Sequence, residues 1–137
     1  MTSPTNIENK ISLIEKYLGI LERYQKYSRE EIEHDIDIRG AVERYLYLAA
    51  QATIELAETV IAYKKFRKPT SMSENFSILN EEGVISLEFS ENLIKMTGFR
   101  NVIAHDYDNI DYDIVYDVLH HKLNNIKKFI ELAEDLI

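Results

Sequence analysis

Glycine and proline are almost missing from this chain, at four and two among 137 residues. Both prolines, Pro4 and Pro69, stand in short polar stretches, so long segments run without a helix-breaking residue. Many short strands joined by tight turns would need more of both; long helices need neither. Within those segments apolar side chains recur at helical spacing. Ile7, Ile11, Ile14, Leu18 and Leu21 mark a first helix reaching about Tyr27, with Thr5 and Glu8 spaced as a capping box at its start. Ser28 and Glu31 repeat the box and open a second helix, predicted from Arg29 to about Phe66. Its inner face carries Ile32, Ile36, Val42, Tyr45, Leu46, Ala49, Leu56 and Val60. Gly40 in its interior costs about 1 kcal/mol relative to alanine, which predicts a bend or a close helix contact.

The run Lys64-Lys65-Phe66-Arg67-Lys68-Pro69 places cations at a helix C-terminus and then a stop, and reads as a helix end with a solvated loop, the alternative being an RNA-contacting patch. Ser71 with Glu74, then Phe76, Ile78 and Leu79, predicts a short third helix closed by Gly83. A fourth helix follows from about Ser86 through Phe89, Leu93, Met96 and Phe99 to Ile103. Tyr107-Asp108-Asn109-Ile110 breaks the pattern, and a fifth helix starts at about Tyr112. The expectation is an all-α chain, an antiparallel bundle of four to five helices in one domain over residues 1–137.

Hydrophobic residues make up 45% of the chain, enough for one packed core, whereas two cores at this length would each be marginal. The lack of cysteine rules out disulfides, thiolate zinc sites and cysteine nucleophiles together. No charged-then-apolar leader opens the chain, and no apolar run approaches the roughly 20 residues that span a bilayer, so a cytoplasmic protein is expected. The formal net charge of −8 argues against a broadly basic nucleic-acid-binding surface. Any nucleic-acid function must then use a locally basic cleft.

One stretch concentrates chemistry: Arg100-Asn101-Val102-Ile103-Ala104-His105-Asp106-Tyr107, at the end of an otherwise apolar helix. Arginine offers a permanent planar cation that forks onto phosphate oxygens. Histidine moves its proton near neutral pH and suits general acid or base work. Residues five apart are about 140° apart around an ideal helix, so Arg100 and His105 do not share a face. They converge only if the helix ends near His105 or if a second chain completes the site. Arg39 and Glu43 are spaced for an i,i+4 pair and, with Arg44, read as structural. His120 and His121 point about 100° apart and cannot jointly grip one ion, so neither a metal nor a cofactor is expected. The acids of residues 30–35 read as a solvated face.

Arg100, four residues, His105, one residue and Tyr107 resemble the R-x4-H-x-Y motif of HepT toxins, a branch of the HEPN ribonuclease superfamily. The resemblance extends to the approach Met96-Thr97-Gly98-Phe99, to Arg39-Gly40-Ala41-Val42-Glu43-Arg44-Tyr45-Leu46 and to the short helix ending at Gly83, and so covers nearly the whole chain. It implies a metal-independent endoribonuclease acting as a homodimer, the toxin of a type VII toxin–antitoxin system. On that resemblance Arg100 holds the scissile phosphate and His105 moves a proton during attack by the ribose 2′-hydroxyl. Asn101 contacts substrate, and Arg39 is a possible supporting residue. The implied partner is an MntA-like minimal nucleotidyltransferase antitoxin that transfers AMP onto Tyr107. The alternative is a non-enzymatic HEPN-like module that binds a nucleotide or a partner nucleotidyltransferase.

Overall fold

The computed structural model describes residues 4–137, and among these every regular element is helical. The helices are α1 (Pro4–Glu22), α2 (Arg29–His34), α3 (Ile36–Lys64), α4 (Glu74–Glu81), α5 (Leu87–His105), α6 (Tyr112–Asp117) and α7 (Leu123–Glu134). No helix of the described residues is long and apolar enough to cross a membrane. The 29-residue α3 is the spine: α1 and α5 pack along it, and α7 closes against both. One contiguous core results, running from Ile7 and Ile14 on α1 through Leu46, Ile54 and Leu56 on α3 to Leu93, Leu119 and Phe129. The expected bundle is therefore present, with α2 and α4 as short additions.

Three local expectations are corrected. Thr5 does not cap α1, because it already lies within the helix. The second predicted helix is broken at Asp35 rather than bent at Gly40. Asp35 takes an extended conformation and its carboxylate accepts from the N–H groups of Asp37 and Ile38, so it ends α2 and caps α3. Gly40 makes no close contact, since a Cβ built there meets nothing within 4 Å. The fifth helix is likewise interrupted, by one π-helical turn over Val118–Lys122. There the His120 ring stacks on Tyr116 and sets its two nitrogens against carbonyl oxygens, Tyr116 at 2.9 Å and Gln25 at 2.6 Å. Gln25 donates back to the Leu119 carbonyl, so the segment after α1 occupies the widened turn.

The other stop signals hold. Ser28 and Glu31 form the full capping box of α2. Gly83 closes α4 in the left-handed region, with the N–H of Val84 bonded to the Leu79 carbonyl and that of Gly83 to Asn80. The same double bond ends α3, from Phe66 to Ile61 and from Lys65 to Ala62. Here the left-handed position is filled by Lys65, at φ 59°.

Candidate active site

The site lies where the C-terminal half of α5 crosses the N-terminal half of α3. Arg100 faces inward across this crossing and is only 9% exposed. Its Nε–H donates to Oε1 of Gln51 at 2.8 Å, Nη1 to Oδ1 of Asn101 at 2.8 Å, and Nη2 to the Tyr47 hydroxyl at 3.1 Å. The guanidinium also lies over the Tyr47 ring, 5.0 Å from its centroid. All three acceptors are neutral. The cation is thus fixed by hydrogen bonds without being neutralised, and two of its five N–H donors stay uncommitted. Behind it Gln51 donates to Glu55, whose other oxygen is held by Lys10 at 2.6 Å. Burial pushes the Glu55 carboxyl upward, but the bonds from Lys10 and Gln51 outweigh that and hold it below the usual range. The nearest carboxylate in the network is therefore already paired.

His105 is the last residue of α5 and is exposed, as is Tyr107, which opens a 3₁₀ turn over Tyr107–Asn109 and is 54% exposed. Both line a groove of about 440 Å³ with Gly40, Arg44 and Tyr47 of α3. Neither Arg100 nor Asn101 lines that groove. Tyr47 connects the two halves, since it borders the groove and accepts from Arg100. One chain consequently brings His105 and Tyr107 together and sets Arg100 one side chain behind them. The ideal-helix reading foretold this separation.

Tyr47 and Gln51 were missed in the sequence, and Arg44 was read only as structural. Their one signal is position: 44, 47 and 51 form a polar stripe on an otherwise inner helix. The proposed Arg39–Glu43 pair does not form. Arg39 donates to the Glu33 carbonyl at 3.2 Å across the α2–α3 junction, and Glu43 accepts a 2.6 Å bond from the Tyr112 hydroxyl. Glu43 is 5% exposed, and Tyr112 is the donor that reaches it. Glu30, Glu33 and His34 gather exposed ligand atoms on α2, but Arg29 already binds both glutamates.

The Tyr112–Glu43 bond makes a prediction. Burial, then the hydrogen bond to Glu43, raise the Tyr112 hydroxyl well above the ordinary tyrosine value of about 10. A folded value above the unfolded one adds stability that is complete below about pH 10 and fades as pH climbs toward the folded value. Tyr112→Phe should cost about 1.5–3 kcal/mol near neutrality, since it strands a buried carboxylate. It should also flatten the decline of the melting temperature above pH 10. Parallel alkaline declines in the two proteins would show that the bond does not form.

This geometry belongs to a recognised class of helical nuclease folds. The family model described as "HepT-like: Ribonuclease HepT-like" matches residues 14–133, and the chain belongs to that family. The mRNA nuclease HepT of Shewanella oneidensis is 29% identical over 129 residues, 93% of this chain and 96% of the relative. The tRNA nuclease HepT of Aphanizomenon flos-aquae is 27% identical over 113 residues, covering 82% and 77%. Among solved structures, the tri-AMPylated Shewanella oneidensis HEPN toxin in complex with MNT antitoxin superimposes with a TM-score of 0.86 at 27% identity, covering 94% of this chain and 96% of that one.

Proposed function

We propose that this chain is the ribonuclease toxin of a toxin–antitoxin pair and that it cleaves RNA with Arg100 and His105. The observation that carries the reading is the guanidinium of Arg100, buried, held by three neutral partners and left with two free donors. A buried cation without a carboxylate is costly unless an anion completes it, and a scissile phosphate fits the planar fork. His105, exposed at the C-terminus of α5, takes the proton from the ribose 2′-hydroxyl. The 2′ oxygen bonds to phosphorus, the bond to the 5′ oxygen breaks, and that oxygen departs with a proton. Asn101 keeps Arg100 in place with its carbonyl oxygen and turns its amide to the substrate, and Arg39 steadies the α2–α3 corner. Because the nucleophile belongs to the substrate and the charge is met by Arg100, this route needs no metal step.

The working form in this reading is a homodimer. Its support is the separation of Arg100 from the groove of its own chain, together with an uncovered apolar strip of Met96, Phe99, Ile103 and Ile114 beside α5. The site of one chain is then completed by the other. Control falls to an MntA-like nucleotidyltransferase, which transfers AMP to Tyr107. The AMP-bearing toxin of Shewanella oneidensis and the exposed Tyr107 hydroxyl support that assignment.

Mixing tests the shared cleft. Arg100→Ala and His105→Ala chains should each be inactive on RNA, and refolding them together at equal amounts should restore about a quarter of wild-type cleavage, since half the dimers carry one intact site. Mixtures that stay inactive, or an active monomer by light scattering, would refute it.

A further inference from the structure

A cavity of about 640 Å³ lies away from Arg100 and His105, between the C-terminal end of α3, the loop after it and the start of α4. Its relation to the catalytic groove is regular. Gly40, Glu43, Arg44 and Tyr47 of the groove correspond to Glu58, Ile61, Ala62 and Lys65 of the cavity, each pair eighteen residues apart. Eighteen residues are five turns, so the two openings lie on one face of α3, about 27 Å apart. Gln51 and Glu55 lie between them on that face, with Glu55 neutralised by Lys10.

The cavity uses the basic run after α3, which the sequence offers as a solvated loop or as an RNA-contacting patch, and the structure divides that run. Arg67 is neutralised by Glu74 and Glu81. Lys65 and Lys68 line the cavity, and neither has an ion-pair partner among the described residues; Phe66 and Pro69 line it with them. Lys65 occupies the left-handed closing position that Gly83 fills in α4 without strain, at a cost of about 1–2 kcal/mol for a side-chain-bearing residue. Asn75 also borders the cavity, buried with its side-chain oxygen unpartnered, and Glu58 adds a carboxylate to the lining. The lining thus offers two cations, an aromatic and apolar wall, and acceptors for N–H or O–H groups. A ribonucleotide carries the matching set of phosphate, base, and amino or hydroxyl donors, and the volume fits one. Cations along a groove with an aromatic platform are also how single strands are held without sequence preference.

We infer that this cavity is a second RNA contact: Lys65 and Lys68 hold a phosphate of the same strand that is cut near His105, and Phe66 packs against a base. The inference rests on the nuclease reading for the other end of the strand. A stacked strand covers the interval with about eight nucleotides, at about 3.4 Å each, and an extended one with fewer.

The test uses the full chain, a Lys65→Gly/Lys68→Gln variant and oligouridylates of 4 and 16 nucleotides. Glycine relieves the left-handed position, so the variant should fold at least as well. Binding is read on a 2′-O-methyl 16-mer, which lacks the attacking hydroxyl and stays uncut. At 0.1 M salt its affinity should fall about tenfold, and the slope of log K against log salt should shrink by about 0.7, the value for one phosphate contact on a single strand. The kcat/KM on the plain 4-mer, which reports only productive binding in the groove, should not change. Unaltered 16-mer affinity and slope would overturn the inference. So would loss of adenosine monophosphate binding with the 16-mer unaffected, which would mark a free-nucleotide pocket. If the wild-type chain cuts neither RNA, the nuclease reading fails, and the uncut 16-mer still decides whether the lysines touch RNA.

Discussion

His105→Ala should lower RNA cleavage by about 10²–10⁴-fold, the usual contribution of a positioned proton carrier, while the melting temperature barely moves. The two halves of that expectation come from the same placement. His105 ends α5, is exposed and has no side-chain hydrogen bond among the described residues, so truncating it opens no cavity and strands no partner. A loss of activity therefore cannot be charged to the fold. Arg100 differs. Arg100→Lys keeps the charge but cannot reproduce bonds to Gln51, Asn101 and Tyr47 from one fork, so cleavage should fall nearly as far as with alanine. The check is cleavage in vitro beside growth on expression, with thermal unfolding of each variant. A folded His105→Ala chain that still cuts RNA and still arrests growth would remove the catalytic assignment. One that arrests growth without cutting RNA, as the wild type would also have to do, would favour a module that acts by binding.

The helical class was legible because it depends on local features: few breakers, apolar periodicity and the Ser28–Glu31 box, all of which the structure repeats. The discrepancies occur where a side chain chose between two local roles. Asp35 sits within a run of acids that reads as a solvated face, yet its carboxylate caps α3. His120 reads as one more helical residue, but bonding across to the segment after α1 widens its turn. At the candidate site, Arg100, His105 and Tyr107 could be singled out because they are close in sequence and chemically distinctive. Tyr47 and Gln51 could not, because only the crossing of α3 and α5 brings them to Arg100. The net charge describes the chain and not its openings, for a related reason. Acids such as Glu33, Glu55, Glu74 and Glu81 are paired with basic side chains, whereas Arg100, Lys65 and Lys68 are not. At physiological salt the screening length is about 8 Å, so an anion at either opening meets the local cations more than the sum over the chain.

Tyr107→Phe should leave cleavage largely intact and free the chain from neutralisation by the nucleotidyltransferase that we propose as its partner. The ring of Tyr107 is half exposed in a short turn, so losing its hydroxyl strands no buried group and the fold should be unaffected. The other nearby hydroxyls are poor acceptors for AMP. That of Tyr112 is bound to Glu43, and Tyr116 is half-buried with its ring stacked on His120. Transfer to Tyr107 would place phosphate charge in the groove shared with His105 and Tyr47, within reach of the Arg100 donors that the shared cleft would bring to it. The added group would then compete for the guanidinium and repel the substrate from one position. With the transferase and ATP, the wild-type chain should gain mass in AMP-sized steps and lose cleavage in parallel, whereas Tyr107→Phe should gain no mass and keep cutting. Equal AMP addition to Tyr107→Phe would move the acceptor elsewhere. Loss of cleavage by Tyr107→Phe in the transferase's presence, without any added mass, would mean that the partner acts by covering the groove.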